Sequence, residues 1–199
     1  MSKRRNPYAR PDARTLAAKA RGYPARSVFK LEEIDRRVGL LKSGQRVLDL
    51  GAAPGSWSRF ALERVGPAGR VVAVDTNALE LAGDARLEFL RADVFELGPE
   101  VLSARGPYGV VLSDMAPATS GSKVADQAQS LELFLRALGL ARQCGAPGSS
   151  FVGKLFMGPD FSGAKRALAE AYRTSRVLRP AGTRRQSSEV FLVGLDLSR

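Results

Sequence analysis

From Arg46 onward, short β-rich runs recur with helix-length stretches between most of them. Residues 46–50, 70–75, 87–92, 109–114, 149–156 and 189–195 have strand length and strand composition, whereas 56–65, 126–143 and 161–172 have helical patterning. Strands alternating with helices imply βαβ units, hence a mainly parallel sheet with helices on both faces. Residues 175–178 and 189–195 have no helix between them, so they are expected to form a hairpin and to make one edge antiparallel. Before the first strand, residues 27–38 form an amphipathic helix with Val28, Leu31, Ile34 and Val38 on one face and Ser27 placed to cap it. The expected architecture is α/β: a Rossmann-like, doubly wound sheet with a C-terminal antiparallel hairpin. At 199 residues, without repeats or low-complexity linkers, the chain reads as a single domain over 1–199. Residues 1–20 form a basic tail, of which 1–14 are expected to be solvated and disordered.

Such sheets bind ligands beyond the carboxyl ends of their strands, where strand order reverses. Asp49-Leu50-Gly51-Ala52-Ala53-Pro54-Gly55 follows the first strand and opens a helix. Asp75 ends the second strand, where a carboxylate can accept both hydroxyls of an adenosine ribose. Asp93 follows the third strand and is placed to accept from the adenine amino group. A dinucleotide turn needs G-x-G-x-x-G to meet a pyrophosphate. Here Gly51 and Gly55 are separated by Ala-Ala-Pro, and Pro54 removes an amide. A ligand with ribose and adenine but no phosphate fits better, which favours S-adenosylmethionine over NAD. Trp57 reads either as core packing on that helix or as a wall of the cofactor pocket.

Composition narrows the chemistry. The chain has no histidine and a single cysteine, Cys144, which excludes Ser-His-Asp and Cys-His triads, histidine-ligated metal and a cysteine cluster; no metal is expected. Acid–base work must fall to Lys, Asp, Glu or Tyr. With 31 Lys+Arg against 20 Asp+Glu the net charge is +11, which points to nucleic acid as partner rather than a membrane. Residues 1–30 hold nine basic residues and one acid. A second basic stretch contains Arg173, Arg176, Arg179, Arg184 and Arg185. The two read as opposite margins of a less basic, cofactor-binding body. Neither a membrane-spanning run nor a secretory leader is evident, so a cytoplasmic protein is expected.

Four residues are unusual for their surroundings: Lys154 in an apolar strand, Asp114 at the end of Val-Val-Leu-Ser-Asp, Glu189 opening the final strand, and Lys30 early in the first helix. Each alone is consistent with a snorkelling side chain or a structural ion pair. Taken with their neighbours, they are more specific. Phe29-Lys30-Leu31, Asp49 to Gly55 with Trp57, Ser113-Asp114-Met115-Ala116-Pro117, Lys154-x-Phe156 and Ser188-Glu189 resemble, in order, the FtsJ/RrmJ family of S-adenosylmethionine-dependent RNA 2′-O-ribose methyltransferases. That resemblance implies a class I methyltransferase fold and a catalytic tetrad of Lys30, Asp114, Lys154 and Glu189. It also implies cofactor contacts at Gly55, Trp57, Asp75, Asp93 and Asp114. The implied substrate is a uridine of large-subunit (23S) ribosomal RNA within an assembled particle, and the protein is expected to be monomeric. Ser56 departs from the family pattern, putting a hydroxymethyl beside the expected cofactor loop where bacterial members usually carry a second glycine.

The residue types suit this chemistry. A sulfonium methyl is already activated, so the protein must align oxygen, methyl and sulfur and remove one proton. An ordinary lysine is neutral at pH 7 only one time in about 2,500, so a lysine base needs a neighbouring cation or partial desolvation. Lysine can act here as free base or as orienter of the 2′-hydroxyl. The rival readings are a transfer-RNA or other RNA 2′-O-methyltransferase, a non-catalytic ribosome-assembly RNA-binding protein, and an NAD-dependent oxidoreductase.

Overall fold

The structure, a computed structural model, describes residues 12–81, 83–118, 120–181, 183 and 187–198. Most of the expected tail (1–11) and Arg184 and Arg185 lie outside these residues. The elements run α1 (Ala13–Ala20), α2 (Val28–Val38), β1 (Arg46–Leu50), α3 (Ser56–Val65), β2 (Arg70–Asp75), β3 (Leu87–Arg91), α4 (Pro99–Ser103), β4 (Tyr108–Ser113), α5 (Lys123–Cys144), β5 (Gly145–Phe156), α6 (Phe161–Ala171), β6 (Tyr172–Leu178) and β7 (Glu189–Leu197).

Among the described residues one seven-stranded sheet has the order β3-β2-β1-β4-β5-β7-β6. The first five strands in that order pair in parallel, and β7 pairs antiparallel with both β5 and β6. The expected hairpin is present, but β7 inserts between β5 and β6. The edge strand β6 therefore runs parallel to β5, and the antiparallel strand is internal. Insertion buries β7's Val190 to Val193, whereas Arg173 to Arg176 of β6 stay exposed. Charge on an edge strand discourages further strand addition.

Successive side chains of a strand point to opposite faces. In β4, Val110 and Leu112 pack with Val28, Leu31, Ile34, Trp57 and Phe60 of α2 and α3, while Val111 packs with Phe134 and Leu138 of α5. The same alternation in β5 sends Val152 toward α2 and α3, and Phe151 and Leu155 toward α5 and α6. Lys154 shares the parity of Val152, and Glu189 that of Phe191 and Val193. Both therefore belong to the face that α2 covers.

The chain's start departs from expectation. Part of the presumed tail is α1, which Asp12 caps by accepting from the Thr15 amide at 2.8 Å and which buries Ala18 fully. Ser27 does not cap α2 with its side chain. A tight turn takes that role: the amides of Phe29 and Lys30 donate to Arg26 and Ser27 carbonyls at 3.2 and 3.0 Å, so the first-turn donors are already satisfied.

Candidate active site

The sheet order reverses between β1 and β4, and a cavity of about 360 Å³ opens there at the strands' carboxyl ends. Its lining includes Gly51, Asp75, Asn77, Asp93, Phe95, Asp114, Met115 and Leu133. Asp75 ties its walls together: one oxygen accepts from the Ala53 amide at 2.9 Å and the other from the Asn77 amide at 2.7 Å. The oxygen facing Ala53 keeps a further acceptor site. Asp93 accepts from the Phe95 amide at 2.9 Å, a local turn that presents the Phe95 ring, 53% exposed, on the cavity wall. Gly51 makes the loop possible. Its φ is +74°, and a Cβ there would lie 3.0 Å from the Met115 backbone.

Gly55 and Trp57 are not among the residues lining this cavity. Gly55, with φ +114°, turns the chain into α3. Trp57 is buried to 2% exposure; its indole N–H donates to the Ser27 carbonyl at 2.9 Å, and its ring lies 5.7 Å from that of Phe191. The Ser56 hydroxyl is engaged by the segment that leads into α2. It accepts from the Ala25 amide at 2.7 Å and donates to the Ala25 carbonyl at 3.0 Å. Ser56 and Trp57 together anchor the start of α2 to α3.

That anchoring sets the position of Lys30. Its Nζ pairs with Glu189 at 2.6 Å and lies 5.6 Å above the Phe191 ring. Lys154, 7% exposed, pairs with Asp114 at 3.0 Å and also donates to the Asp114 carbonyl. The two ion pairs are joined by the β5–β7 ladder, in which Lys154 faces Phe191 and Phe156 faces Glu189. The four residues singled out in the sequence thus form two ion pairs on one sheet face. Asp114 also lines the cavity, so the Lys154 ammonium is bonded to a cavity wall.

Beneath the cavity lies Asp49, fully buried at the end of β1. Ser58 donates to one of its oxygens at 2.6 Å; the other has no hydrogen-bond partner among the described residues. Burial, reinforced by the Asp114 and Asp75 carboxylates, pushes Asp49 up to about 7 against the opposing Ser58 bond.

The described residues of the two basic stretches touch at one point. Arg14 donates to the Ala181 carbonyl at 2.7 Å, and the Ala181 amide donates to Glu33 of α2 at 2.7 Å. Asn77, Phe95, Leu133 and Phe191 are not singled out by sequence, whereas Met115 stands in the Ser113–Pro117 motif. An aromatic two residues beyond Asp93 is a local signal for Phe95; Phe191 needed the strand register.

A family description, FtsJ-like methyltransferase, matches residues 23–197. A Sorangium cellulosum protein named ribosomal RNA large subunit methyltransferase E is 58% identical over 193 residues, covering 97% of this chain and 91% of the relative. One of the same name from Oleidesulfovibrio alaskensis is 48% identical over 183 residues, covering 90% and 88%. Among solved structures, a Plasmodium falciparum protein described as a ribosomal RNA methyltransferase superposes with a TM-score of 0.76 at 23% identity, covering 88% of this chain and 98% of that one. Human methyltransferase-like protein 13, solved with SAH, gives 0.55 at 17% identity, covering 77% and 72%. Both structural likenesses bear on the fold, a Rossmann-like methyltransferase sheet.

Proposed function

Since the chain belongs to the FtsJ-like methyltransferase family, we propose that it transfers a methyl group from S-adenosylmethionine to the 2′-oxygen of a uridine ribose in large-subunit (23S) ribosomal RNA. It does so in the cytoplasm, as a monomeric single domain acting on the assembled subunit. The observation that carries this reading is the dual position of Asp114, which lines the cavity and pairs with Lys154.

The cavity suits the cofactor. Its volume lies within the roughly 300–1,000 Å³ usual for small-molecule sites. Carboxylates at the ends of β2, β3 and β4 supply acceptors for hydroxyl and amino groups, and Phe95 offers an apolar face for adenine. Asp75 holds the ribose diol, Asp93 the adenine amino group, and Asp114 the methionyl end. Gly55 acts through the turn that keeps the loop close. Trp57, which the family resemblance implies as a contact, contributes by fixing α2.

When bound, S-adenosylmethionine supplies an activated methyl on a sulfonium. The protein's part is alignment and one proton. S-adenosylmethionine held by Asp75, Asp93 and Asp114 would supply the methyl group, and Lys154, in its amine form, would take the 2′-hydroxyl proton at Nζ as that oxygen is methylated. Asp114 holds Lys154 at 3.0 Å, and Glu189 holds Lys30 at 2.6 Å beside the same strands. Lys30 lends its positive charge to the developing alkoxide. The test is ribose-methylation mapping after incubating purified protein with labelled S-adenosylmethionine and large subunits, naked 23S RNA or transfer RNA. Methylation of transfer RNA alone would move the substrate elsewhere; no ribose product on any RNA would overturn the reading.

A further inference from the structure

The sheet edge that carries the cofactor cavity carries a second concavity farther along. Its volume is about 530 Å³, and its walls include Lys123, Asp126, Gln127, Phe156, Arg179 and Ser188. Three separate segments build it: the start of α5, the end of β5, and the stretch leading into β7. They are tied to one another. The Phe156 amide donates to the Ser130 hydroxyl of α5 at 3.0 Å, and the Met157 amide donates to the Ser188 carbonyl at 2.9 Å. Gln127 donates to the Met157 carbonyl, and Arg179 donates to the Ser187 carbonyl at 2.6 Å. The cleft is therefore a braced feature of the sheet edge.

Its position relative to the tetrad follows from topology. Along the edge, the cofactor cavity spans β3, β2, β1 and β4, and the cleft spans the ends of β5, β7 and β6. Asp114, Lys154 and Glu189 stand at the boundary. Phe156 lies two residues beyond Lys154 and opposite Glu189 in the ladder, and Ser188 is Glu189's chain neighbour. In-line transfer requires the attacking oxygen to approach the methyl from the side opposite sulfur. With the methyl donor in the cavity, the cleft, which begins two residues beyond Lys154 and one before Glu189, offers the nucleotide an approach from the other side.

We propose that this cleft is the subsite for the target nucleoside, with the base against Phe156 and a flanking phosphate at Lys123. The inference rests on the RNA methyltransferase reading above. The wall chemistry matches such an occupant: an aromatic ring for the base face, a cation for the phosphodiester, and amide and hydroxyl groups for polar edges, while the one carboxylate, Asp126, already accepts from the Ser120 amide and hydroxyl at 2.8 Å and offers its remaining acceptor capacity to base or sugar donors. Lys123 is exposed at the first position of α5, where a helix amino terminus adds its own preference for an anion.

Two variants test it. Lys123→Glu changes an exposed helix-start residue to one favoured there, so the fold is retained. Phe156→Leu keeps apolar bulk and removes the aromatic face. Each should raise the KM for RNA roughly tenfold while S-adenosylhomocysteine binding by calorimetry stays unchanged. Lys123→Ala should lower the slope of log affinity against log salt by about 0.7, as loss of one single-strand phosphate contact does. Wild-type RNA kinetics and salt slope in all three variants would overturn the cleft assignment while leaving the methyltransferase reading intact. Absence of ribose methylation by the unaltered protein would overturn that reading and this proposal together.

Discussion

The indole N–H of Trp57 donates to the Ser27 carbonyl at 2.9 Å, three residues before Lys30, and so couples α3 to the helix that brings a lysine to Glu189. Trp57→Phe removes the donor but keeps the ring on Phe191. Unfolding free energy should fall by about 1 kcal/mol. Methyl transfer at saturating cofactor should slow roughly tenfold through misplacement of Lys30. Cofactor affinity should not change. Weaker cofactor binding with an unchanged rate would instead make Trp57 a pocket wall.

Lys154→Ala should nearly abolish methyl transfer while S-adenosylhomocysteine still binds, because the cavity is built by other side chains. Lys154→Arg should rescue little, since a guanidinium does not deprotonate near neutral pH. Single-turnover rates alongside calorimetry decide it. Near-normal turnover in Lys154→Ala would remove the lysine from the chemistry.

Asp75→Ala should weaken cofactor binding by roughly 2 kcal/mol or more, since it removes a charged acceptor and frees the Ala53 and Asn77 amides it now holds. Phe95→Ala should weaken it by about 1 kcal/mol through loss of an aromatic face. Titration of both variants with S-adenosylmethionine and with NAD is the check. Tight NAD binding by the unaltered protein, with none of S-adenosylmethionine, would refute the cofactor assignment.

Asp49 makes stability depend on pH with an unusual sign for a carboxylate. Its value rises from 3.8 to about 7 on folding, mainly by burial, so between these values the folded state binds more protons than the unfolded one. Stability from this residue is fully present below 3.8, declines as pH rises, and is lost above about 7. The change should be on the order of a few kcal/mol. Asp49→Asn, which resembles the protonated acid, should flatten the profile. Denaturant unfolding from pH 5 to 8 on both proteins tests this; parallel slopes would contradict it.

Residues 1–11 contain Lys3, Arg4, Arg5 and Arg10. Deleting them should weaken RNA binding and reduce its salt slope, with the cofactor site unaffected. A cut at Arg14 is a poorer experiment, because it also removes the Asp12 cap and the Arg14–Ala181 bond. Equal salt slopes for full-length and shortened protein would assign RNA contact to other surfaces.

Local periodicity carried most of the fold. β1 and β2 begin and end where their apolar runs do, and α3 where its helical pattern does. α1 was obscured because its basic composition outweighs a single buried anchor, Ala18, and α4 is only five residues long. The placement of β7 between β5 and β6 is a long-range pairing that no local pattern encodes. The same limit applies to the site. Lys30, Asp114, Lys154 and Glu189 were legible as charges in apolar settings, but their division into two ion pairs depends on β5–β7 register. Ser56 was legible as a hydroxyl near the loop, whereas its direction depends on where α2 begins.

The interleaving of β7 also bears on how the protein acquires activity during folding. β6 precedes β7 in the chain, yet its ladder partner is β7, so it cannot join the sheet until β7 has slotted against β5. Pairing Lys154 with Phe191 closes a long loop, and such contacts form slowly. The same docking event delivers Glu189 to Lys30. A refolding chain should therefore regain cofactor-cavity structure, built from β1 to β4, before it regains turnover. Return of catalysis would then mark the moment at which the sheet's far edge is completed.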